Sequence, residues 1–172
     1  QRIFELSSLR DMSTESLGVI YEGAFISKET RKRLGTHSTP PWLADYMMWQ
    51  VEDWFREIPR EERIVYEPAC GHGAFLVAAL RMLQQLAFEE KIPYEETAQY
   101  LRKMLYGADI DAFSLEIARL SLSLTDIPRP NGWRLYPMNL FAEDPFGKRV
   151  PPPALVLTNP PYETFDPQER RR

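Results

Sequence analysis

Cysteine occurs once in the 172 residues and histidine only twice. One thiol leaves no internal disulfide framework and fits a reducing, cytoplasmic setting. So few soft ligands make a structural zinc site improbable. Long apolar runs are missing too: nothing approaches the ~20 residues a helix needs to cross a bilayer. Residues 1–10 show no apolar stretch of the kind found in a secretory leader. There is no basic excess, since 21 Lys and Arg stand against 25 Asp and Glu, a formal charge of −4. That balance argues against non-specific coating of nucleic acid and leaves room for a local basic face. Internal repeats and low-complexity tracts are absent, and the length suits one domain with a sizeable core. Gln1 in place of an initiator methionine, and an end just past the last motif, lead us to expect part of a longer polypeptide.

What is present is a chain of apolar segments punctuated by fifteen prolines, grouped at 40–41, 128–130, 151–153 and 160–161 among other places. Ser13-Thr14-Glu15-Ser16 offers a cap for a helix over about 14–25, with Leu17, Ile20, Tyr21 and Ala24 on one face. Lys28 to Arg33 reads as a solvated basic face, and His37 as a loop or packing residue. Thr39 is placed to cap a helix over about 41–56, whose stripe of Leu43, Met47, Val51 and Trp54 or Phe55 reads as core. A charged linker over 58–62 leads to a first strand, Arg63 to Tyr66, and a helix from Ala74 to about Glu89 follows. Next come a helix over Tyr94–Lys103, a strand over Met104–Asp109 and a helix over Ala112–Ser123. A strand over Trp133–Met138, a proline-rich loop and a buried strand over Ala154–Thr158 complete the series. This order implies an α/β sheet with ligands at the C-terminal ends of its strands.

Two stretches carry chemistry. In Val65-Tyr66-Glu67-Pro68-Ala69-Cys70-Gly71-His72-Gly73-Ala74-Phe75, an apolar strand turns through glycines into a helix. Such a turn lets the backbone approach a nucleotide-like ligand and offers free N–H groups, although an ordinary tight turn would share the pattern. Asp109, ending the second strand, is placed to accept hydrogen bonds from a ribose diol; Asp111 competes for that role or caps the following helix. Asn139 could bond to a base edge. The other stretch is Asn159-Pro160-Pro161-Tyr162, directly after the last strand. Its prolines remove backbone donors, so the Asn159 amide oxygen and the Pro160 carbonyl can each accept one N–H of a planar amine. Tyr162 can stack on a flat ring. Cys70 is better placed to line the glycine pocket than to act as a nucleophile.

Together these residues resemble the amino-methyltransferases that use S-adenosyl-L-methionine, above all the N6-adenine DNA methyltransferases of restriction-modification systems. Glu67 to Phe75 is similar to the family's Asp-Pro-Ala-Cys-Gly-Ser-Gly-x-Phe run, with Glu67 and His72 as replacements. Gly35-Thr36-His37-Ser38-Thr39-Pro40 resembles its Gly-x-x-Tyr-Thr-Pro segment, and Asn159 to Tyr162 matches its catalytic loop. The leading segment is similar to type I subunits, fused restriction-methylation enzymes, and the methylases of BREX and DISARM defence islands. The resemblance implies a Rossmann-like class I methyltransferase fold, incomplete at its first four strands, with an N-terminal helical extension. Residues 1–56 would be the helical segment with its cofactor-covering loop, and 57–172 the first part of the catalytic domain. It further implies that Asn159, Pro160, Pro161 and Tyr162 are catalytic. The implied cofactor contacts are Thr36, Thr39, Pro40, Glu67, Pro68, Ala69, Cys70, Gly71, Gly73, Phe75, Asp109, Ile110, Asn139, Leu140 and Asn159.

The expected reaction is methyl transfer to N6 of an adenine flipped out of duplex DNA, with no metal. The expected partners are DNA, a target-recognition domain or specificity subunit outside this chain, and further defence-system subunits, with no membrane. Protein-glutamine, RNA-adenine and cytosine-N4 methylation use related loops and remain alternatives. So does a non-catalytic cofactor-binding module; a nicotinamide oxidoreductase fits less well because its full glycine fingerprint is absent.

Overall fold

A computed structural model describes residues 39–127, 131–139, 146 and 149–160 of the chain. The helix expected over 14–25, the basic run, His37, Thr36, Leu140, Pro161 and Tyr162 lie outside these residues. The first described helix, α1, runs Pro41–Glu57. Pro40, not Thr39, occupies its N-cap, and the Pro40 carbonyl accepts the Leu43 and Ala44 N–H groups at 3.0 and 3.1 Å. With Pro41 as the first helical residue, Thr39 sits one position too early to reach the orphan amides. The buried face is Ala44, Met48 and Phe55, with Val51 partly covered, while Met47 and Trp54 are exposed. Val51 and Phe55 of the expected stripe thus face the core, whereas Ala44 and Met48 take the places expected of Leu43 and Met47; both choices satisfy helical spacing, and only packing selects between them.

Helix α1 stops where Ile58 turns extended before Pro59, since the residue ahead of a proline is pushed out of helical geometry. A single 3₁₀ turn, Arg60–Glu62, leads to strand β1, Val65–Glu67, which begins later than expected. The buried Arg63 before it donates to the carbonyls of Arg56 and Ile58, both at 2.9 Å, and pairs with Glu90 at 2.5 Å. One guanidinium thus satisfies carbonyls at the end of α1 and ties them to the end of the next helix.

That helix, α2 (Ala74–Glu89), is buried over most of its circumference because it packs against α1, β1, β2 and both later helices. Helix α3 (Tyr94–Met104) leads into β2 (Leu105–Asp109); α4 (Ala112–Thr125) leads to β3 (Arg134–Pro137), and β4 is only Leu155–Val156. All pairings are parallel and the strand order is β3-β2-β1-β4. Side chains alternate between two faces. Val65, Leu105 and Leu135 join the main core under α2 and α4, whereas Tyr66, Tyr106, Ala108, Met138 and Val150 form a smaller cluster on the opposite face. The last strand departs from expectation. Among the described strands it is the outermost on its side, and Val156 is 49% exposed. An apolar run by itself does not distinguish a central strand from an edge one.

Candidate functional site

Because every described strand is parallel, the residues after β1, β2, β3 and β4 emerge along one edge of the sheet. Glu67 and the glycine turn, Asp109, Asn139 and Asn159 are therefore neighbours by topology. The chain builds outward from β1 through β2 to β3, then returns to pair β4 on the other side of β1, with Tyr66 opposite Val156. That reversal is the switch point at which open α/β sheets form a ligand crevice.

The turn between β1 and α2 is built from backbone bonds. Cys70 N–H donates to the Ala108 carbonyl at 2.9 Å, and Gly73 N–H to the Cys70 carbonyl at 2.8 Å. Gly71 and Gly73 both have positive φ, +50° and +89°. A Cβ on Gly73 would lie 3.1 Å from that of Ala118, whereas one on Gly71 would meet nothing within 4 Å. The first glycine thus opens onto space and the second lets α2 pack against α4. Pro68, Cys70 and Phe75 are buried and Ala69 is partly so. Burial pushes the Cys70 thiol well above its usual range, reinforced by the charges of Glu67 and Asp109, which keeps it from being a thiolate nucleophile.

Glu67 is buried among these groups. Its carboxylate accepts the Leu76 N–H in the first turn of α2, a capping task that Gly73 cannot perform. The other oxygen, Oε2, is buried without a hydrogen-bond partner. Desolvation drives this carboxyl well above the ordinary glutamate range; the Leu76 bond opposes the shift and the nearby Asp109 charge adds to it.

Asp109 accepts Gly71 N–H at 2.7 Å through Oδ2 and Asp111 N–H at 2.9 Å through Oδ1. Burial raises its affinity for a proton, and these backbone bonds lower it. Asp111 caps α4, accepting from Phe113 N–H at 3.1 Å and Ser114 N–H at 3.3 Å. Ile110 between them is 74% exposed at the crevice edge. Beyond β3, Met138 N–H bonds to the Asp109 carbonyl at 2.9 Å, which brings the partly buried Asn139 to the same edge.

Across the crevice, Asn159 Nδ2 donates to Thr39 Oγ1 at 3.3 Å. This contact joins the start of the Asn-Pro-Pro-Tyr loop to the Thr-Pro segment ahead of α1. Thr39 is 9% exposed, Pro40 is exposed and Pro160 is partly buried. Sequence reasoning missed this pairing and the capping role of Glu67, because neither contact is local enough to leave a spacing signal. Among the described residues no group of three or more His, Cys, Asp or Glu could hold a metal ion, and no helix is long and apolar enough to cross a membrane.

Two curated proteins and a solved structure are similar to this chain. The adenine-specific methyltransferase PglX of Streptomyces coelicolor is 31% identical over 113 residues, covering 63% of this chain and 9% of that protein. RM.MjaORFECS2P of Methanocaldococcus jannaschii, named as a candidate type II restriction enzyme and methyltransferase, is 26% identical over 164 residues, covering 66% of this chain and 14% of its own length. The chain therefore spans only about a tenth of the curated relatives it matches. The solved M protein of the type I restriction enzyme EcoKI superposes with a TM-score of 0.53 at 18% identity, over 86% of this chain and 28% of that one, which shows a shared fold. The fold is accordingly a partial Rossmann-like methyltransferase fold with a four-stranded parallel sheet and a helical extension ahead of it. The family model for N-6 DNA methylases matches residues 12–171, and the chain belongs to that family.

Proposed function

We propose that this chain carries the cofactor site and the amine-holding loop of an S-adenosylmethionine-dependent DNA (adenine-N6) methyltransferase serving restriction-modification or phage defence. The observation that carries this reading is the pairing of β4 directly beside β1, which puts Asn159 next to the glycine turn. Family membership and the adenine specificity in the name of the Streptomyces relative support the choice of base and polymer.

The residues present fit the cofactor. Glu67 Oε2 is a buried carboxylate oxygen in need of a partner, which a cationic ammonium would supply. Open space beside Gly71 leaves room for close approach to the backbone. Asp109 would take the ribose hydroxyls on lone pairs that Gly71 and Asp111 do not use. Asn139, Ile110 and Leu140 would border the adenine, while Thr36, Thr39 and Pro40 would cover the methionine end. The bound cofactor supplies an electrophilic methyl group on a sulfonium.

The protein's own part is positioning and fixed dipoles. Asn159 Oδ1 and the Pro160 carbonyl would accept the two N–H bonds of a flipped adenine, and Pro161 would hold the loop rigid. Tyr162 would stack on the base. Duplex DNA is the substrate in this reading, with target recognition supplied from outside residues 1–172. Residues 1–56 would serve as the covering helical segment and 57–172 as the first part of the catalytic domain.

Asn159→Ala in the full-length protein tests the proposal. Methyl transfer to DNA should fall by at least ~100-fold, as when an oriented polar group at the reacting centre is removed. Cofactor binding should persist. Undiminished methylation, or preferred transfer to RNA or protein when the polymers are compared, would refute it.

A further inference from the structure

We infer that Glu67 stands uncharged in the empty site and releases a proton to solvent when the cofactor's ammonium group docks, so that it selects for a ligand carrying an ammonium. The inference rests on the reading of the glycine turn as an S-adenosylmethionine site and adds a proton exchange to it.

The geometry gives a charge at this position little support. Glu67 closes β1 and is 3% exposed. One oxygen takes the Leu76 N–H, and Oε2 is buried with no hydrogen-bond partner. A carboxylate so enclosed loses its hydration and recovers a single hydrogen bond, an imbalance that favours the neutral acid. The surrounding groups do not redress it. Asp109, at the end of β2, adds a like charge, and Cys70 in the turn is held as the thiol. Arg119 of α4 acts on Cys70 and is engaged by Glu116 and by the Leu135 carbonyl, the latter at 2.6 Å. His72 lines a cavity with Asp45 and Arg81. Asn139 and Asn159, after β3 and β4, are uncharged. Burial accordingly lifts the carboxyl's affinity for a proton well above the ordinary glutamate value.

An ammonium arriving at Oε2 brings the opposite charge and the missing donors together. The O–H bond of the acid then breaks, its electron pair stays on the carboxylate, and the proton passes to the buffer; the ammonium keeps its own protons. Because a proton must leave, cofactor affinity should rise with pH, by up to about tenfold per unit, until the pH passes the raised value of the empty site. Methylthioadenosine shares the nucleoside and lacks the amino-acid end. It reaches the ribose side at Asp109 and leaves Glu67 protonated.

Calorimetric titration of the full-length protein in pairs of buffers that differ in ionisation enthalpy counts the protons exchanged. Titrations at about pH 6 and about pH 7 keep the ligand's amine largely charged. S-adenosylmethionine should release up to about one proton per molecule bound, with a Kd that falls as pH rises. Glu67→Gln should bind more weakly, with neither the release nor the pH slope, and methylthioadenosine on the parent should show neither.

Normal cofactor binding with no proton exchange overturns the inference, since Glu67 would then keep one charge state throughout. Release that persists in Glu67→Gln also overturns it and assigns the proton to another group, such as His72. Equal release with methylthioadenosine does the same by placing the exchange at the nucleoside end. A parent protein that binds no S-adenosylmethionine fails at the earlier level: the reading of the turn as the donor site falls, and the proton exchange with it.

Discussion

The Asp109 carboxylate holds the Gly71 N–H at 2.7 Å, and so ties the end of β2 to the turn that follows β1. The same side chain holds Asp111 N–H with its other oxygen, so one acidic residue sets the spacing of two loops. Asp109→Ala would leave both donors without their partner. We expect a loss of about 2 kcal/mol in urea unfolding of the protein. A weakening of S-adenosylmethionine binding of roughly tenfold or more should accompany it, read by equilibrium titration.

Glu67 is buried more deeply and has one oxygen without a hydrogen-bond partner. Its folded-state affinity for a proton is raised well above the ordinary value of 4.5, chiefly by burial. The stability it contributes is therefore complete below that ordinary value and is lost as pH rises through the raised one. Glu67→Gln removes this dependence. Without cofactor, the variant should be more stable than the parent at neutral pH, by about 1 kcal/mol, and the two should converge on acidification. Cofactor affinity should drop at the same time. Thermal unfolding across a pH series, with and without S-adenosylmethionine, checks both halves; a parent that gains stability with rising pH relative to Glu67→Gln would contradict the sign.

The two glycines of the turn should respond differently to alanine. At Gly73 a Cβ would sit 3.1 Å from Ala118 Cβ and 3.3 Å from its Cα, in a backbone with φ near +89°. Gly73→Ala should cost about 2–3 kcal/mol, because strain and a contact with a helix backbone combine. Gly71→Ala has open space and should cost about 1 kcal/mol from backbone strain alone. Its larger effect should fall on cofactor affinity, since the new methyl group would occupy the approach to the turn.

Local turn chemistry made much of the fold legible. The span of α2, the end of β2 at Asp109 and the capping choice at Asp111 all follow from residues within a few positions of one another. Parallel strand order does not. Nothing near Leu155 says that β4 pairs with β1 instead of extending the sheet beyond β3, because that choice depends on contacts across most of the chain. The first half of the α1 face was off by one residue for a related reason, while Val51 and Phe55 were legible: Leu43 and Met47 are as apolar as Ala44 and Met48, and only the position of α2 decides between them. At the site, the motif residues could be read one by one. The Thr39–Asn159 bond and the orphaned oxygen of Glu67 became visible only when the elements were assembled.

Arg102 forms a clamp at the opposite end of the sheet. It pairs with Asp126 at 2.8 Å, donates to the Asn131 carbonyl at 2.7 Å and lies 3.5 Å over the Trp133 ring. Asp126 is only 1% exposed and also accepts from Gln84 at 3.1 Å. Arg102→Ala strands a buried carboxylate and should cost about 3–5 kcal/mol in chemical denaturation. Arg102→Lys should recover part of the charge pairing and little of the stacking. Neither change should alter cofactor affinity at temperatures where the protein remains folded.

The central place of β1 has a consequence for how this scaffold can be altered. The glycine turn and the Asn159 loop hang from adjacent rails, so their spacing is set by one strand-to-strand distance and not by the path of the chain between them. Extra residues could be spliced in between β3 and β4 without pulling the two loops apart, provided the chain re-enters beside β1. Lengthening β1 itself by one residue would instead turn Glu67 to the other side of the sheet and dismantle the site at a stroke.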